Sequence, residues 1–241
     1  LLRPALKFFL QVLFKSSKNR VIVQNTEDRN LLITQLGINE NNVVLIKGSG
    51  VDTRKFYPKP EPNGKVTMAL VSRMLWDKGI GEFVAAIKLL KKRGFDFSAA
   101  LVGEPDDENL ASVSRVQLQG WHDAGLINWL GYREDIAEFW HNAHIAVLPS
   151  YREGLPKSLL EAAACGRSIV TTDTSGCKEI VQNGVNGFLV PVGDAAGLAD
   201  ALEKLILNAE LRQTMGQAGR KMVEQDFSDE KVIAETLRVY R

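Results

Sequence analysis

The chain has 241 residues, 45% of them hydrophobic and 24% charged. At about 100–200 residues per domain, that supports one full core and a fragment of a second. Its 30 basic and 29 acidic side chains leave a formal charge of +1, which excludes bulk electrostatic attraction to nucleic acid and leaves any anion site to local geometry.

The chain starts Leu1-Leu2-Arg3, without a methionine, and reads as part of a longer protein. No stretch reaches the length of a membrane span. Leu1 to Phe14 is apolar and is followed by Lys15, Lys18 and Arg20. An interior helix and an amphipathic helix at a membrane surface are both open readings, and the near-complete apolar girdle favours the interior one. Val21-Ile22-Val23-Gln24 reads as a strand, Thr26 as the cap of a short helix to Leu36 with Gly37 as its stop, and Val43-Val44-Leu45-Ile46 as a second strand.

Residues 1–48 therefore look like the tail of an α/β domain. Glycines and prolines between Gly48 and Gly64 mark residues 49–64 as an interdomain linker. Strands are then expected at Val66–Val71, Phe97–Val102, Leu126–Leu130, Ile145–Leu148, Ser168–Thr171 and Phe188–Val190. Helices are expected at Gly79–Arg93, Asn109–Ala124, Asp135–Asn142, Leu155–Cys165, Cys177–Gln182 and Ala195–Leu207, then Glu210–Asp226 and Asp229–Tyr240. Such alternation requires right-handed crossovers and predicts a Rossmann-like, doubly wound parallel sheet over residues 65–227, with residues 228–241 as a C-terminal helix.

In a sheet of this kind the loops after the strands share one edge, where ligands bind. Arg73 and Lys78 follow the first of these strands and stand near a helix N-terminus, where cations and free N–H groups both favour an anion such as a diphosphate. Gly131 lets a ligand approach the backbone before Tyr132 and Arg133. Glu153 lies on the loop after His144–Ser150, and Glu161 falls about two turns into the next helix, with Pro156 at or near the N1 position. Glu161 sits among Leu159, Leu160 and three alanines; a charge there demands a hydrogen-bonding partner.

The acids Asp106-Asp107-Glu108 have no histidine or further carboxylate spaced to complete a metal site, and read as a solvated loop. His122, His141 and His144 have no partner at ligand or triad spacing and read as structural. Cys165 and Cys177 match no metal spacing and read as the reduced thiols of a cytosolic protein.

The Glu153-x7-Glu161 pattern, with Ser72 to Gly79, Ser150 to Gly166 and Asn186-Gly187-Phe188-Leu189-Val190, resembles the retaining glycosyltransferases of family 4, group 1, which have the GT-B fold. The resemblance implies that this chain is the C-terminal, donor-binding half, preceded by a remnant of the N-terminal, acceptor-side α/β domain. It implies that Arg73 and Lys78 hold the diphosphate of a nucleotide-diphospho-sugar, UDP-linked in the expectation here, and that Tyr132 and Arg133 line the nucleobase pocket. By the same resemblance Glu153 is placed near the anomeric carbon, with Gly154, Leu155, Pro156 and Lys157 on sugar and phosphate. Glu161 falls to the ribose hydroxyls. Pro156 itself has no N–H to donate. Gly50, in a Gly-Val-Asp segment like that at the family's domain junction, faces the interdomain cleft.

The family generally works without a metal, and no cofactor is expected. The implied reaction moves a hexose or N-acetylhexosamine, with retention, to a glycan or lipid-linked acceptor in surface polysaccharide synthesis. The acceptor would be bound mainly by the half not included here. The protein would be cytoplasmic, with peripheral contact to the inner face of the membrane as a further expectation. A non-catalytic nucleotide-sugar-binding domain and a sugar-nucleotide epimerase of the same fold are the alternatives.

Overall fold

In the computed structural model, residues 2–14, 16 and 19–240 are described. Helix α1 (Leu2–Leu13) leads to a two-stranded parallel sheet of β1 (Val21–Val23) and β2 (Val43–Leu45). Between them lies α2 (Thr26–Asn30), which widens into a π-helical turn over Leu31–Gln35. Its cap is Asn25 instead of Thr26: the Asn25 side chain accepts from the Asp28 amide at 2.8 Å, as a short polar side chain in extended backbone does best.

Helix α1 is not an interior helix among the described residues. Phe8, Phe9, Val12 and Leu13 remain exposed, while Gln11 Nε2 donates to Leu36 O at 2.7 Å and Phe14 packs on the small core of Val23, Ile38 and Val43. Two short strands offer too little surface to cover a whole apolar girdle.

The larger sheet has six parallel strands: β3 (Thr67–Val71), β4 (Ser98–Val102), β5 (Asn128–Trp129), β6 (Ile145–Leu148), β7 (Ser168–Thr172) and β8 (Gly187–Val190), in the order β5-β4-β3-β6-β7-β8. Helices α3 (Ile80–Lys92), α4 (Arg115–Asp123), α5 (Ile136–His141), α6 (Lys157–Ala164), α7 (Ser175–Ile180), α8 (Ala195–Leu207) and α9 (Ala209–Asp226) fill the crossovers and cover the faces, and α10 (Asp229–Val239) closes the described chain. Packing of α3 on α8 and of α6 on α9 encloses the core.

All four residues of β6 are buried, as expected of a central parallel strand covered on both faces. The chain winds outward from β3 through β4 and β5, then returns to the other side of β3 at β6. That reversal opens a crevice between the carboxyl ends of β3 and β6. Helix α4 begins later than the sequence pattern suggests, because Ser114 supplies its cap to Gln117 N and residues 109–113 turn back to the loop after β3.

Both cysteines are buried and free. Burial pushes the Cys165 thiol up to about 12, which leaves it protonated and inert. Each histidine bonds the main chain: His122 Nδ1 accepts from Trp129 N, His141 Nε2 meets Tyr57 O, and His144 joins Thr67 N to Pro62 O.

Candidate donor-binding site

The loops after β3, β4, β5 and β6 meet at the carboxyl edge of the sheet, where two glycines set how closely they approach. A Cβ on Gly79 (φ +73°) would lie 2.0 Å from Pro149 O, and one on Gly103 (φ +136°) 1.8 Å from Ser72 O. Only glycine fits either position. Tyr151 N and Ser150 Oγ both donate to Asp77 O, which seams the β6 loop to the β3 loop.

A cavity of about 920 Å³ opens at this edge. Of the residues singled out in the sequence, Gly50, Arg73, Tyr132, Arg133, Lys157 and Glu161 line it. Lys78, Glu153, Gly154, Leu155 and Pro156 do not line this cavity. Lys78 and Glu153 instead pair with each other: Lys78 Nζ lies 2.7 Å from Glu153 Oε1, with only 19% and 11% of their side chains exposed. The expected four-residue cluster of two cations and two acids is thus divided between two neighbouring stations, both reached by the loop after β3. The short 3-10 turn Trp76–Lys78 separates them.

The Glu153 station faces the β1–β2 unit. Asn25 Nδ2 donates to Gly154 O at 3.0 Å, and a Cβ on Gly48 would strike Leu155. The amides of Glu153, Gly154 and Leu155 make no hydrogen bond among the described residues. Pro156 occupies the N-cap of α6, next to the N1 position and within the range expected for it. Its carbonyl accepts from Leu159 and Leu160, a role that needs no N–H of its own.

Glu161 is partly buried, and desolvation raises its pKa, opposed by Lys157 and Lys55. No side-chain hydrogen bond to its carboxylate is present among the described residues, although it borders the cavity. Arg73 is engaged: its Nη1 lies 2.7 Å from Asp106 Oδ2. The 106–112 segment is therefore not a loose solvated loop. Asp106 N donates to Ser112 Oγ, Met74 N to Glu104 O, Trp76 N to Ala111 O and Val113 N to Met74 O. These bonds fasten it to the β3 loop and turn Asp106 toward Arg73. Arg133 makes a two-pronged ion pair with Asp135 and holds that carboxyl below its usual range.

Sequence reasoning passed over Glu104, Asp52 and Lys55, all of which line the cavity. Glu104 accepts from Tyr132 N at 3.3 Å and pairs with Arg115 at 2.6 Å. The signal for it was available in Gly103-Glu104-Pro105, a glycine turn directly after a strand of the parallel sheet.

A doubly wound sheet with a polar crevice at its switch point defines a ligand-binding α/β domain of the nucleotide-handling kind. Residues 51–222 match the family described as Glycosyl transferases group 1, and the chain belongs to that family. It is 32% identical to the N,N'-diacetylbacillosaminyl-diphospho-undecaprenol alpha-1,3-N-acetylgalactosaminyltransferase of Campylobacter jejuni, over 100% of this chain and 62% of that protein. It is 29% identical to the capsular polysaccharide biosynthesis glycosyltransferase CapM of Staphylococcus aureus, over 94% of this chain and 59% of that one. The chain therefore spans less than two thirds of the length of these curated relatives.

Among solved structures, the C-terminal domain of a group 1 glycosyl transferase from Francisella tularensis aligns with a TM-score of 0.64 at 30% identity, covering 74% of this chain and 99% of that one. Anabaena HepE in complex with UDP shares the fold, with a TM-score of 0.82 at 22% identity over 96% of this chain and 68% of that one. The chain is thus similar to GT-B glycosyltransferases in fold.

Proposed function

We propose that this chain is the donor-binding part of a retaining hexosyltransferase. It would move a hexose or N-acetylhexosamine from a UDP-linked donor to a glycan or lipid-linked acceptor in surface polysaccharide synthesis. The observation that carries this reading is Glu161: a partly buried carboxylate without a protein donor, bordering a cavity that also holds Arg73 and Lys157. Two ribose hydroxyls would supply the hydrogen bonds it lacks. The names of the Campylobacter and Staphylococcus relatives support the acceptor class.

In this reading Tyr132 and Arg133 border the base, Glu161 takes the ribose, and the diphosphate runs from Arg73 toward Lys78 with the sugar beyond it at Glu153. The anomeric C–O bond to the diphosphate breaks while a bond to the acceptor oxygen forms on the same face, and the acceptor's proton passes to the departing phosphate. Arg73 and Lys78 neutralise charge that builds on the leaving group. Glu153, already held by Lys78, orients the sugar and offsets its developing positive charge. Gly50 borders the cavity from the segment we assign as linker, residues 49–64, between a remnant domain (1–48) and the donor domain (65–227).

No helix among the described residues is long and apolar enough to cross a membrane. Exposed Phe8, Phe9 and Val12 beside Lys7 support peripheral contact; sedimentation with anionic liposomes, and its loss in Phe8→Ser, Phe9→Ser, tests that part. Calorimetry of UDP binding tests the donor site: if Arg73→Ala, Lys78→Ala and Glu161→Ala all bind UDP like the parent, the assignment is wrong. Release of an altered nucleotide sugar without acceptor, from the full-length protein, would replace transfer by epimerisation.

A further inference from the structure

A second cavity, of about 610 Å³, opens at the opposite edge of the large sheet, where α6 ends and β7 begins, between residues 58–61 and α9. It shares no lining residue with the donor cavity. Lys59, Arg167, Arg220 and Lys221 border it, against the acids Glu61 and Glu224. Both acids are already taken, Glu61 by Arg212 at 2.8 Å and Glu224 by Arg220 at 2.7 Å. Lys59 is held by Glu138. Two cations are left over.

The first is Arg167, which is fully buried. Its Nη2 donates to Lys59 O at 2.6 Å, but Nε and Nη1 have no acceptor among the described residues. A guanidinium does not escape such a position by losing its proton, and a buried charged donor left unpaired costs stability. The second is Lys221, exposed on α9 and without an ion pair or hydrogen bond among the described residues.

We propose that this cavity is a binding site for a small phosphomonoester, separate from the donor site. Two unclaimed positive charges match a phosphate dianion. Arg167 Nε and Nη1 lie on different edges of the guanidinium, and a phosphate oxygen would give one of them the charged acceptor it lacks. Gln213 and Gln217, also at the rim, present amides that can both donate to and accept from hydroxyl groups on the rest of the ligand. The volume falls within the range of small-molecule sites, roughly 300–1,000 Å³.

The test is calorimetry of the full chain with inorganic phosphate and with glycerol 3-phosphate, each in excess UDP so that the donor cavity is filled. One phosphate-bearing molecule should bind per chain. Lys221→Glu, at an exposed position where the thermal midpoint should not move, should weaken both probes about tenfold or more by placing like charge at the site. Lys221→Arg should retain them, and Arg73→Ala, although it weakens UDP, should leave the binding of both probes unchanged.

The proposal is overturned if neither probe binds at about millimolar concentration, or if inorganic phosphate binds and glycerol 3-phosphate does not. It is equally overturned if binding survives Lys221→Glu but is lost in Arg73→Ala, which would assign the phosphate to the donor cavity. Should UDP itself fail to bind, the donor reading falls, while the Lys221 variants still decide this one.

Discussion

Glu61 and Glu161 are both withdrawn from solvent at opposite edges of one sheet, and the protein treats them in opposite ways. Glu61 is gripped by the buried Arg212 guanidinium through three contacts of 2.8–3.1 Å, while Arg212 Nη1 also closes on Leu205 O. Glu161 has only the distant field of Lys157 and Lys55, and burial raises its pKa. A buried charge that the chain itself satisfies holds structure together; here Glu61 ties the 53–62 segment to α9. A carboxylate left unsatisfied beside a cavity costs stability unless a ligand completes it.

The largest effect should come from breaking the satisfied member. Arg212→Ala leaves Glu61 buried without its partner and should destabilise the fold by about 3–5 kcal/mol in urea unfolding. Glu61→Gln with Arg212→Met should recover much of that, and no recovery would mean that Arg212 acts through packing alone. At the donor edge, Arg73→Ala or Lys78→Ala should lower turnover of the full-length protein by about 10²–10³, as loss of a charge stabiliser in the transition state does. The fold should be nearly untouched by Arg73→Ala, since that side chain is 63% exposed.

Glu161→Ala should weaken UDP binding by about 1.5–3 kcal/mol, the range for a hydrogen bond to a charged group. Its stability should move the other way from that of Arg212→Ala. Because the folded pKa of Glu161 lies above its unfolded value, the folded state binds the extra proton. Its contribution is greatest below the unfolded pKa and is lost as pH rises through the folded one. Glu161→Gln should therefore flatten the fall in stability on going from pH 4 toward neutrality, read from thermal midpoints in a pH series. In the parent, UDP affinity should decline as pH drops through the same window if, as proposed, the ionised carboxylate accepts the ribose hydrogen bonds. A UDP affinity independent of pH in that range would separate Glu161 from the ribose.

Much of this site was legible before any coordinates. Short apolar runs alternating with helical periodicity implied a parallel sheet, and a parallel sheet delivers its loops to one edge, so Arg73 and Glu161 could be placed there from order, while Tyr132, Arg133 and Lys157 came from the resemblance to the family. Side-chain pairings were not legible, because they join residues 33, 75 and 151 positions apart: Arg73 with Asp106, Lys78 with Glu153, Arg212 with Glu61. Local spacing contains nothing about such partners. Asp106 read as a solvated acid for this reason, and the cation pair read as one cluster when each cation had gone to a different acid. Helix starts failed for a related cause: Asn25 and Ser114 compete with their neighbours for the cap, and the winner is set by backbone direction outside the helix.

The smallest expected effect concerns Asp106, the acid read as solvated. Asp106 holds Arg73 at 2.7 Å at the cavity, so in the proposed pose a diphosphate would compete with a carboxylate for the same guanidinium. A pair this exposed is worth about 0.2–1 kcal/mol. Asp106→Asn keeps the backbone bond to Ser112 Oγ and removes only the competing charge. It should therefore tighten UDP binding by up to about fivefold at low salt. That gain should vanish near 1 M salt, where charges are screened within about 3 Å. Weaker binding in Asp106→Asn would reverse the logic: the carboxylate would then be aiming Arg73 at the ligand instead of withholding it, and the cavity would already be arranged for the donor before the donor arrives.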